Sequence, residues 1–236
     1  AANMLAMTPY PGYQGKFFSM PPRNVIPKPV QKPHPPMWLA CSRRESIHRA
    51  ARMGLGALAF AFVEPEQAGH WVKEYYDIIK SDECVPIAHT VNPNIAVVSA
   101  MSVHPDEKEA QARGSEGFRF FGYSLGYVAS YGQHKSGRSE VWKKFKEVEH
   151  TLEHNSGHGG IGTPDQVRDQ FERYEKVGMD QIIFVQQVGN NKHEHICESL
   201  ALFAKELLPA FKARDKIRQA EKEKELRPYI EAALAR

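Results

Sequence analysis

Short apolar runs alternate with amphipathic stretches along much of the chain, and this alternation is the most informative feature of the sequence. Four runs of strand length are almost wholly apolar: residues 37–41, 57–62, 94–103 and 181–187. Strands that are apolar on both faces are typical of parallel sheets, because helices cover both sides of such sheets. The sequence therefore predicts four buried parallel strands in βα units.

The stretches between and after these strands carry apolar residues at helical spacing. The first helix is predicted to begin at Ser42, because Glu45 three residues later completes the pattern of a capping box, and to end at Gly54. Thr163 and Pro164 have the form of another helix start. Further helices are predicted over residues 66–80, 105–113 and 192–208.

The two ends of the chain depart from this alternation. Residues 1–36 are rich in turn residues, and proline donates no backbone hydrogen bond, so this segment is not a central strand. Within it, residues 27–36 are predicted to form an extended, polyproline-like strap of about 30 Å. Residues 212–236 are predicted to form a charged helix that is broken or restarted near Pro228. That helix is either a solvated surface helix or a contact with a second subunit.

The middle of the chain, residues 114–160, also lacks the alternation of apolar runs and amphipathic stretches. Residues 118–131 are rich in aromatic side chains. Such side chains form a lid where they exclude water from a reaction, but their spacing also fits a helix packed on the sheet. The sequence leaves both interpretations open. Three histidines lie in or beside this segment: His134, His154 and His158. They are either groups for acid–base work near neutral pH or solvated loop residues, and the second interpretation is favoured.

Composition excludes some classes of protein. The 236 residues are 42% hydrophobic and 25% charged, which is typical of a globular domain. No apolar stretch approaches 18 residues and no signal peptide is visible, so we expect a cytoplasmic protein with no membrane partner. The net charge is only +3, and the basic residues are mixed with acidic ones and not clustered. Both features argue against nucleic acid as a partner.

Cysteine and histidine usage indicates neither a disulfide framework nor a metal centre. The three cysteines are widely spaced, which favours a reducing compartment. Of His193, His195 and Cys197, only the first and last share a helical face. No metal is therefore expected.

Two stretches resemble the C-terminal half of the bacterial-luciferase-like flavin monooxygenase superfamily. The first contains "PKPVQKPHPP" at residues 27–36, which leads into a strand. The second is "IGTPDQVRDQFERYEKVGMDQIIFVQ" at 161–186, followed by "ESLALFAKELLPAF" at 198–211. That family is a (β/α)₈ TIM barrel. The resemblance implies the α/β class, with about the last four βα units of the barrel in this chain.

The resemblance also implies a division of the chain. Residues 1–36 are a proline-rich lead-in, residues 37–211 a partial barrel with an inserted segment at about 114–160, and residues 212–236 a charged helical tail. Half a barrel leaves two open sheet edges and an uncovered apolar interior. We therefore expect a homodimer or association with a complementing chain, and not a stable monomer.

The junction "ACSRRES" between the first strand and its helix is the strongest candidate site. Backbone N–H groups at a helix start face the edge where barrel sites lie, and they bind anions. The resemblance matches the family's flavin phosphate loop to Cys41, Ser42, Arg43 and Ser46, with N–H groups from Ser42 and Arg43 and a hydroxyl from Ser46. The alternative is an ordinary capping box, with Arg43 and Arg44 in water.

Further candidates follow the other predicted strands. Phe60, Phe62 and Gln186 would lie near the pocket mouth, where the phenylalanines either flank a flavin ring or an apolar substrate or simply pack in the barrel. Residues 188–195 form either a second anion-binding loop or a polar surface loop. No catalytic residue is identified.

The resemblance implies a function. Reduced FMN and molecular oxygen would oxygenate an apolar small-molecule substrate, and a separate flavin reductase would supply the reduced flavin. One alternative is a dehydrogenase that uses a deazaflavin coenzyme. Another is a non-catalytic half-barrel completed by another chain.

Overall fold

The computed structural model describes residues 1–59, 63–131, 139–152 and 159–236. Its centre is a parallel sheet whose strands alternate with helices. The elements in chain order are α1 (Ala2–Ala6), β1 (Tyr13–Gln14), β2 (Ser19–Met20), β3 (Trp38–Cys41), α2 (Arg44–Arg52), β4 (Gly56–Ala59), α3 (Pro65–Ile79), β5 (Ile95–Val103), α4 (Glu107–Tyr131), α5 (Val141–Val148), β6 (Gly160–Gly162), α6 (Pro164–Lys176), β7 (Gln181–Val185), α7 (His193–Glu206) and α8 (Leu208–Leu234).

The central strand of the sheet is β5, all nine residues of which are buried. Residues 95–97 of β5 pair with β4, residues 96–100 pair with β7, and residues 101–103 pair with the short β6. On the far side of β4 lies β3. All these pairs are parallel, as the four apolar runs predict.

The two outer strands are less buried than the sequence predicts. Cys41 of β3 is buried, but Ala40 is exposed. In β7, Phe184 packs against Phe171 and Phe203 on the helical side, whereas Ile183 on the opposite face is 42% exposed. The prediction of full burial is wrong for both strands. Within the part of the chain that the structure describes, each pairs with a single neighbour and has one open edge.

The core lies between the sheet and the helices α2, α3, α6 and α7. Tyr75 of α3 is fully buried, and its hydroxyl donates to the carbonyl oxygens of Leu55 at 2.8 Å and Asn92 at 3.0 Å. At the start of α6, the Thr163 side chain accepts from the Gln166 N–H while the Gln166 side chain accepts from the Thr163 N–H. The predicted helix start at Thr163 is therefore confirmed.

The helix predicted to end near residue 113 continues to Tyr131. Its second half packs on α5 through aromatic rings, because Phe120 lies 4.8 Å from Trp142 and 5.5 Å from the fully buried Phe145. Residues 118–131 are helical, as that alternative predicts, but the ring contacts described here are with α5; the early end of the helix was a wrong prediction. A lid function for this stretch stays a prediction.

The charged tail is a single helix, α8, that passes through Pro228 without a break. The predicted break is therefore wrong. The tail also packs on the body, since Leu226 and Ala233 are buried and the Arg218 side chain donates to the Met179 carbonyl oxygen at 2.7 Å. The tail is therefore a helix packed on the body, whereas its high charge alone would favour a solvated surface helix.

The lead-in forms a β1–β2 hairpin and then a segment whose backbone bends at residues 26–27 and 30–33. It is therefore not the straight strap that the prolines predict. Buried His34 accepts at Nε2 from the His89 N–H at 3.1 Å, which fixes the lead-in against the body. Among the residues placed by the structure, no helix is both long and apolar enough to cross a membrane.

Candidate functional site

The candidate residues collect at the edge of the sheet where the parallel strands end. Ser42 and Arg43 follow β3, and Gln186 follows β7, so they lie at the same edge with β4 and β5 between them. In (β/α) architectures this edge carries the ligand and catalytic sites. Phe60 and Phe62, predicted for the same edge, fall outside the described residues, as do His134, His154 and His158.

The junction after β3 lacks the capping box that Ser42 and Glu45 predict. The helix begins later, with Arg43 as the N-cap residue in an extended conformation (φ −142°, ψ 156°) and no side-chain hydrogen bond to the helix start. The prediction was wrong because Ser42 lies one residue before the N-cap position. The first N–H groups of α2 are consequently free of side-chain acceptors, which is the state that an anion requires.

Ser42 and Arg43 are exposed, and Ser46 is half-buried on the first turn of α2. The Ser46 N–H donates to the Arg43 carbonyl oxygen at 3.0 Å. Its hydroxyl has no hydrogen-bond partner within the described ranges. The loop thus offers helix-start amides that no side chain caps, together with one hydroxyl and one guanidinium. This donor set suits a phosphate group.

Cys41 contributes only its backbone to this loop. Its side chain is 1% exposed, and the thiol donates to the Leu39 carbonyl oxygen at 3.2 Å. Burial raises the pKa of the Cys41 thiol to about 11. A thiol of this kind is not a nucleophile at neutral pH, so Cys41 stays a predicted backbone contact to the phosphate.

The Arg44 side chain is 60% exposed, as the capping-box alternative predicts, but it is paired with a carboxylate. Its Nε donates to Oε2 of Glu74 on α3 at 2.7 Å, and its Nη2 donates to Oε1 of the same carboxylate. His48, one turn further along α2, places Nε2 at 2.9 Å from Glu74 Oε2. Sequence reasoning missed Glu74, because 30 residues separate it from Arg44, and it missed His48 although His48 stands four residues after Arg44.

Gln186 is half-buried at the end of β7. Its backbone oxygen accepts from the Asn191 side chain at 3.0 Å, and its own Nε2 is enclosed without an acceptor among the described residues. The loop that follows lies against α4, where a side chain at Gly117 would collide with Asn191. The helix α4 therefore fixes the position of the 188–191 loop.

The predicted second anion loop is also uncapped, since Lys192 is the N-cap of α7 and makes no side-chain cap. On this helix, Sγ of Cys197 lies 3.5 Å from Nε2 of His193. In the residues described, no three or more His, Cys, Asp and Glu side chains are grouped to hold a metal ion.

Sequence comparison supports the resemblance. A sequence model of the family described as luciferase-like monooxygenase matches residues 3–181. The oxygenase component of a flavin-dependent trigonelline monooxygenase from Acinetobacter baylyi is 24% identical over 202 residues, which are 84% of this chain and 55% of that protein. The chain thus spans about half the length of this relative.

Solved structures share the fold. A monooxygenase from Streptomyces bottropensis matches with a TM-score of 0.64 and 21% identity, over 89% of this chain and 58% of the other. The coenzyme F420 dependent tetrahydromethanopterin reductase from Methanopyrus kandleri matches with a TM-score of 0.53 and 18% identity, over 84% and 57%. A long-chain alkane monooxygenase matches with a TM-score of 0.53 and 18% identity, over 86% and 46%.

These likenesses identify the sheet and its helices as part of a (β/α)₈ TIM barrel, as the resemblance implied. The matched family model covers well over half of the chain. The chain belongs to the luciferase-like monooxygenase family.

Proposed function

We propose that this chain carries the flavin phosphate site of a flavin-dependent monooxygenase that acts on an apolar organic substrate. The observation that carries the proposal is the uncapped start of α2, with Arg43 unpaired beside it within the part of the chain described. A flavin mononucleotide ends in a phosphate monoester, and uncapped helix starts bind such groups. The family relationship supports flavin as the partner of this loop.

The residues of the loop divide the work of holding the phosphate. The backbone N–H groups of Ser42 and Arg43 donate to phosphate oxygens, Ser46 adds a hydroxyl donor, and the Arg43 guanidinium supplies charge. Buried Cys41 anchors the loop to the end of β3. These groups bind and orient the cofactor, and they take no part in proton transfer.

When bound, reduced flavin supplies the chemistry of oxygen activation. The protein must then keep water away from the reacting groups. The insertion helices α4 and α5 serve this purpose in the proposal, because α4 lies against β5 and β6 at the carboxyl edge and packs its aromatic rings on α5. Gln186 lies beneath them as a polar wall residue. An apolar substrate agrees with this lining, and one structural relative is an alkane monooxygenase.

The cofactor has a second candidate, a deazaflavin coenzyme used in hydride transfer without oxygen. The coenzyme F420 dependent reductase among the structural relatives favours it. Reduced FMN remains the proposed cofactor, because the curated relative is named as a flavin-dependent oxygenase component. That name also supports a separate flavin reductase as partner.

Titration tests the proposal. The purified protein is titrated with oxidised FMN, with reduced FMN under anaerobic conditions, and with the deazaflavin coenzyme, and binding is followed by calorimetry. We expect saturable FMN binding that weakens about tenfold or more in Arg43→Glu and several-fold in Ser46→Ala, since each loses a charge-assisted or hydroxyl hydrogen bond. Arg49→Glu, further along α2, is the charge-matched control. FMN binding that is unchanged in Arg43→Glu would contradict the proposal.

A further inference from the structure

A cavity lies on the helical side of β7, bounded by that strand and by α6, α7 and α8. Its volume is about 370 Å³, towards the lower end of the range of about 300–1,000 Å³ that is typical of small-molecule sites. Asp180 and Gln181 line it at the start of β7, whereas Gln186 and the candidate phosphate loop lie at the carboxyl edge. Five residues of extended strand span about 16 Å, so the cavity is separate from the site described above.

Aromatic rings form much of the wall of this cavity. Phe171 of α6 stacks on Phe184 of β7 with ring centroids 5.4 Å apart, and Phe203 of α7 meets Phe184 edge-on at 5.2 Å. Phe171 and Phe203 are buried, whereas Phe184 and Phe211 of α8 are half-buried and leave part of their rings uncovered by protein. Uncovered aromatic surface in a concave site favours an apolar ligand, which removes that surface from water.

Two arginines of α8 fix the position of this helix beside the cavity. Arg214 donates to the Glu175 carboxylate of α6 at 2.7 Å, and its Cζ lies 4.7 Å from the centre of the Phe211 ring. One turn further along α8, Arg218 donates to the Asp180 carboxylate at 2.8 Å. These contacts join α8 to α6 and to the start of β7, so the cavity between them is part of the folded structure.

The charged groups that line the cavity favour neither an anion nor a cation. The Asp180 and Glu175 carboxylates already have the arginine partners just named. Lys212 and Asp215 are exposed on α8 and carry opposite charges three residues apart. Moving an unpaired charge from water to a site walled by aromatic rings is unfavourable. The lining therefore suits an uncharged molecule.

We propose that this cavity binds small uncharged aromatic or alicyclic molecules. The ring of the ligand contacts the uncovered surfaces of Phe184 and Phe211, and water leaves the apolar lining. This site does not depend on the proposed function, since it uses none of the residues assigned to the flavin phosphate.

The first test is a calorimetric titration with indole, an uncharged bicyclic compound. We expect saturable binding with a Kd of about 1 mM or lower, which is typical of so small a ligand. Indole-2-carboxylate adds one negative charge to the same ring and should bind about fivefold more weakly or worse. No saturable binding of indole would overturn the proposal, and equal affinity for the anion would overturn the assignment of an uncharged ligand.

The second test locates the ligand in the wild-type protein by NMR of methionine methyl groups. Met179 lines the cavity, while Met101 is equally buried on β5 where that strand pairs with β6, towards the carboxyl edge. Indole should shift the Met179 methyl resonance with the same saturation curve as the calorimetry and leave the Met101 resonance unchanged. A shift at Met101 without one at Met179 would place indole at the carboxyl edge and overturn the proposal.

A matched pair of variants completes the test. Leu208→Trp on α8 fills the cavity and should weaken indole binding about tenfold or more. Leu200→Trp makes the same substitution at a position of α7 that is 42% exposed, and it should leave the affinity unchanged. Circular dichroism checks that both variants fold. Indole binding that a folded Leu208→Trp variant retains in full would overturn the proposal.

Sedimentation velocity with and without indole tests the other possible occupant, a second copy of the chain. The proposal predicts that indole leaves the state of association unchanged. A dimer that indole dissociates, and that Leu208→Trp also dissociates, would assign the cavity to a neighbouring copy and overturn the small-molecule site.

Discussion

Arg218 donates to the carboxylate of Asp180 at 2.8 Å, and the Asp180 side chain is completely buried. The same carboxylate receives Lys222 at 2.7 Å, the Tyr76 hydroxyl at 2.6 Å and the Ile95 N–H at 2.8 Å. Asp180 therefore joins the start of β7 to α8, α3 and β5. Asp180 is therefore a central point of contact between the charged tail and the barrel.

We expect Asp180→Asn to destabilise the protein by about 3 kcal/mol or more, because it leaves two partly buried cations without their counter-ion. Burial lowers the pKa of Lys222, so this cation depends on the carboxylate. Urea unfolding measures the loss. Asp215→Asn on α8 is the control, since Asp215 accepts only from Gln219 in the described structure, and equal losses in both variants would contradict the account.

The two helix starts singled out in the sequence should respond differently to alanine. Thr163→Ala removes one half of a formed capping box and should cost about 1 kcal/mol of the free energy of unfolding. Ser42→Ala should change it by less than about 0.5 kcal/mol in the absence of cofactor, because Ser42 caps nothing. Urea unfolding of both variants checks this. A loss at Ser42 as large as that at Thr163 would show that the capping box exists.

The contribution of Glu74 to stability should depend on pH. Hydrogen bonds from Arg44 lower its pKa from 4.5 to about 2 in the folded protein. Because the folded pKa lies below the unfolded one, the carboxylate stabilises the protein above about pH 4.5, and this contribution is lost as the pH falls towards 2. The difference in Tm between wild type and Glu74→Gln should therefore shrink from about pH 6 to about pH 3. A constant difference would contradict the ion pair.

The open edges of β3 and β7 should cause association of this chain in solution. Unpaired strand edges present free N–H and C=O groups to other chains, and the exposed Ile183 adds apolar surface beside one of them. Sedimentation velocity should show species larger than the 26.7 kDa chain. A well-folded monomer at all concentrations would contradict this expectation.

The sequence predicts the central part of the fold well, because local patterns decide it. The run that forms β5 is apolar at nearly every position, and a parallel strand buried on both faces needs that composition. The start of α6 is specified by Thr163 and Pro164 within two residues. Elements of this kind require no knowledge of distant residues.

Errors arise where distant contacts override local signals. The glycines Gly114, Gly117, Gly122 and Gly126 are common helix breakers, yet they lie inside α4, which packing against α5 and the sheet stabilises. The packing of α8 on the body uses Asp180, about 40 residues before its cationic partners on that helix. At the candidate site, the residues of the loop follow from the sequence, but the pairing of Arg44 with Glu74 follows only from the packing of α2 on α3.

The most direct test of the central claim is a crystal structure of the protein with bound FMN. The account predicts phosphate oxygens within about 3 Å of the backbone N–H groups of Ser42 and Arg43 and of the Ser46 hydroxyl. A phosphate bound instead at the loop of residues 188–195, or away from the carboxyl edge of the sheet, would contradict it.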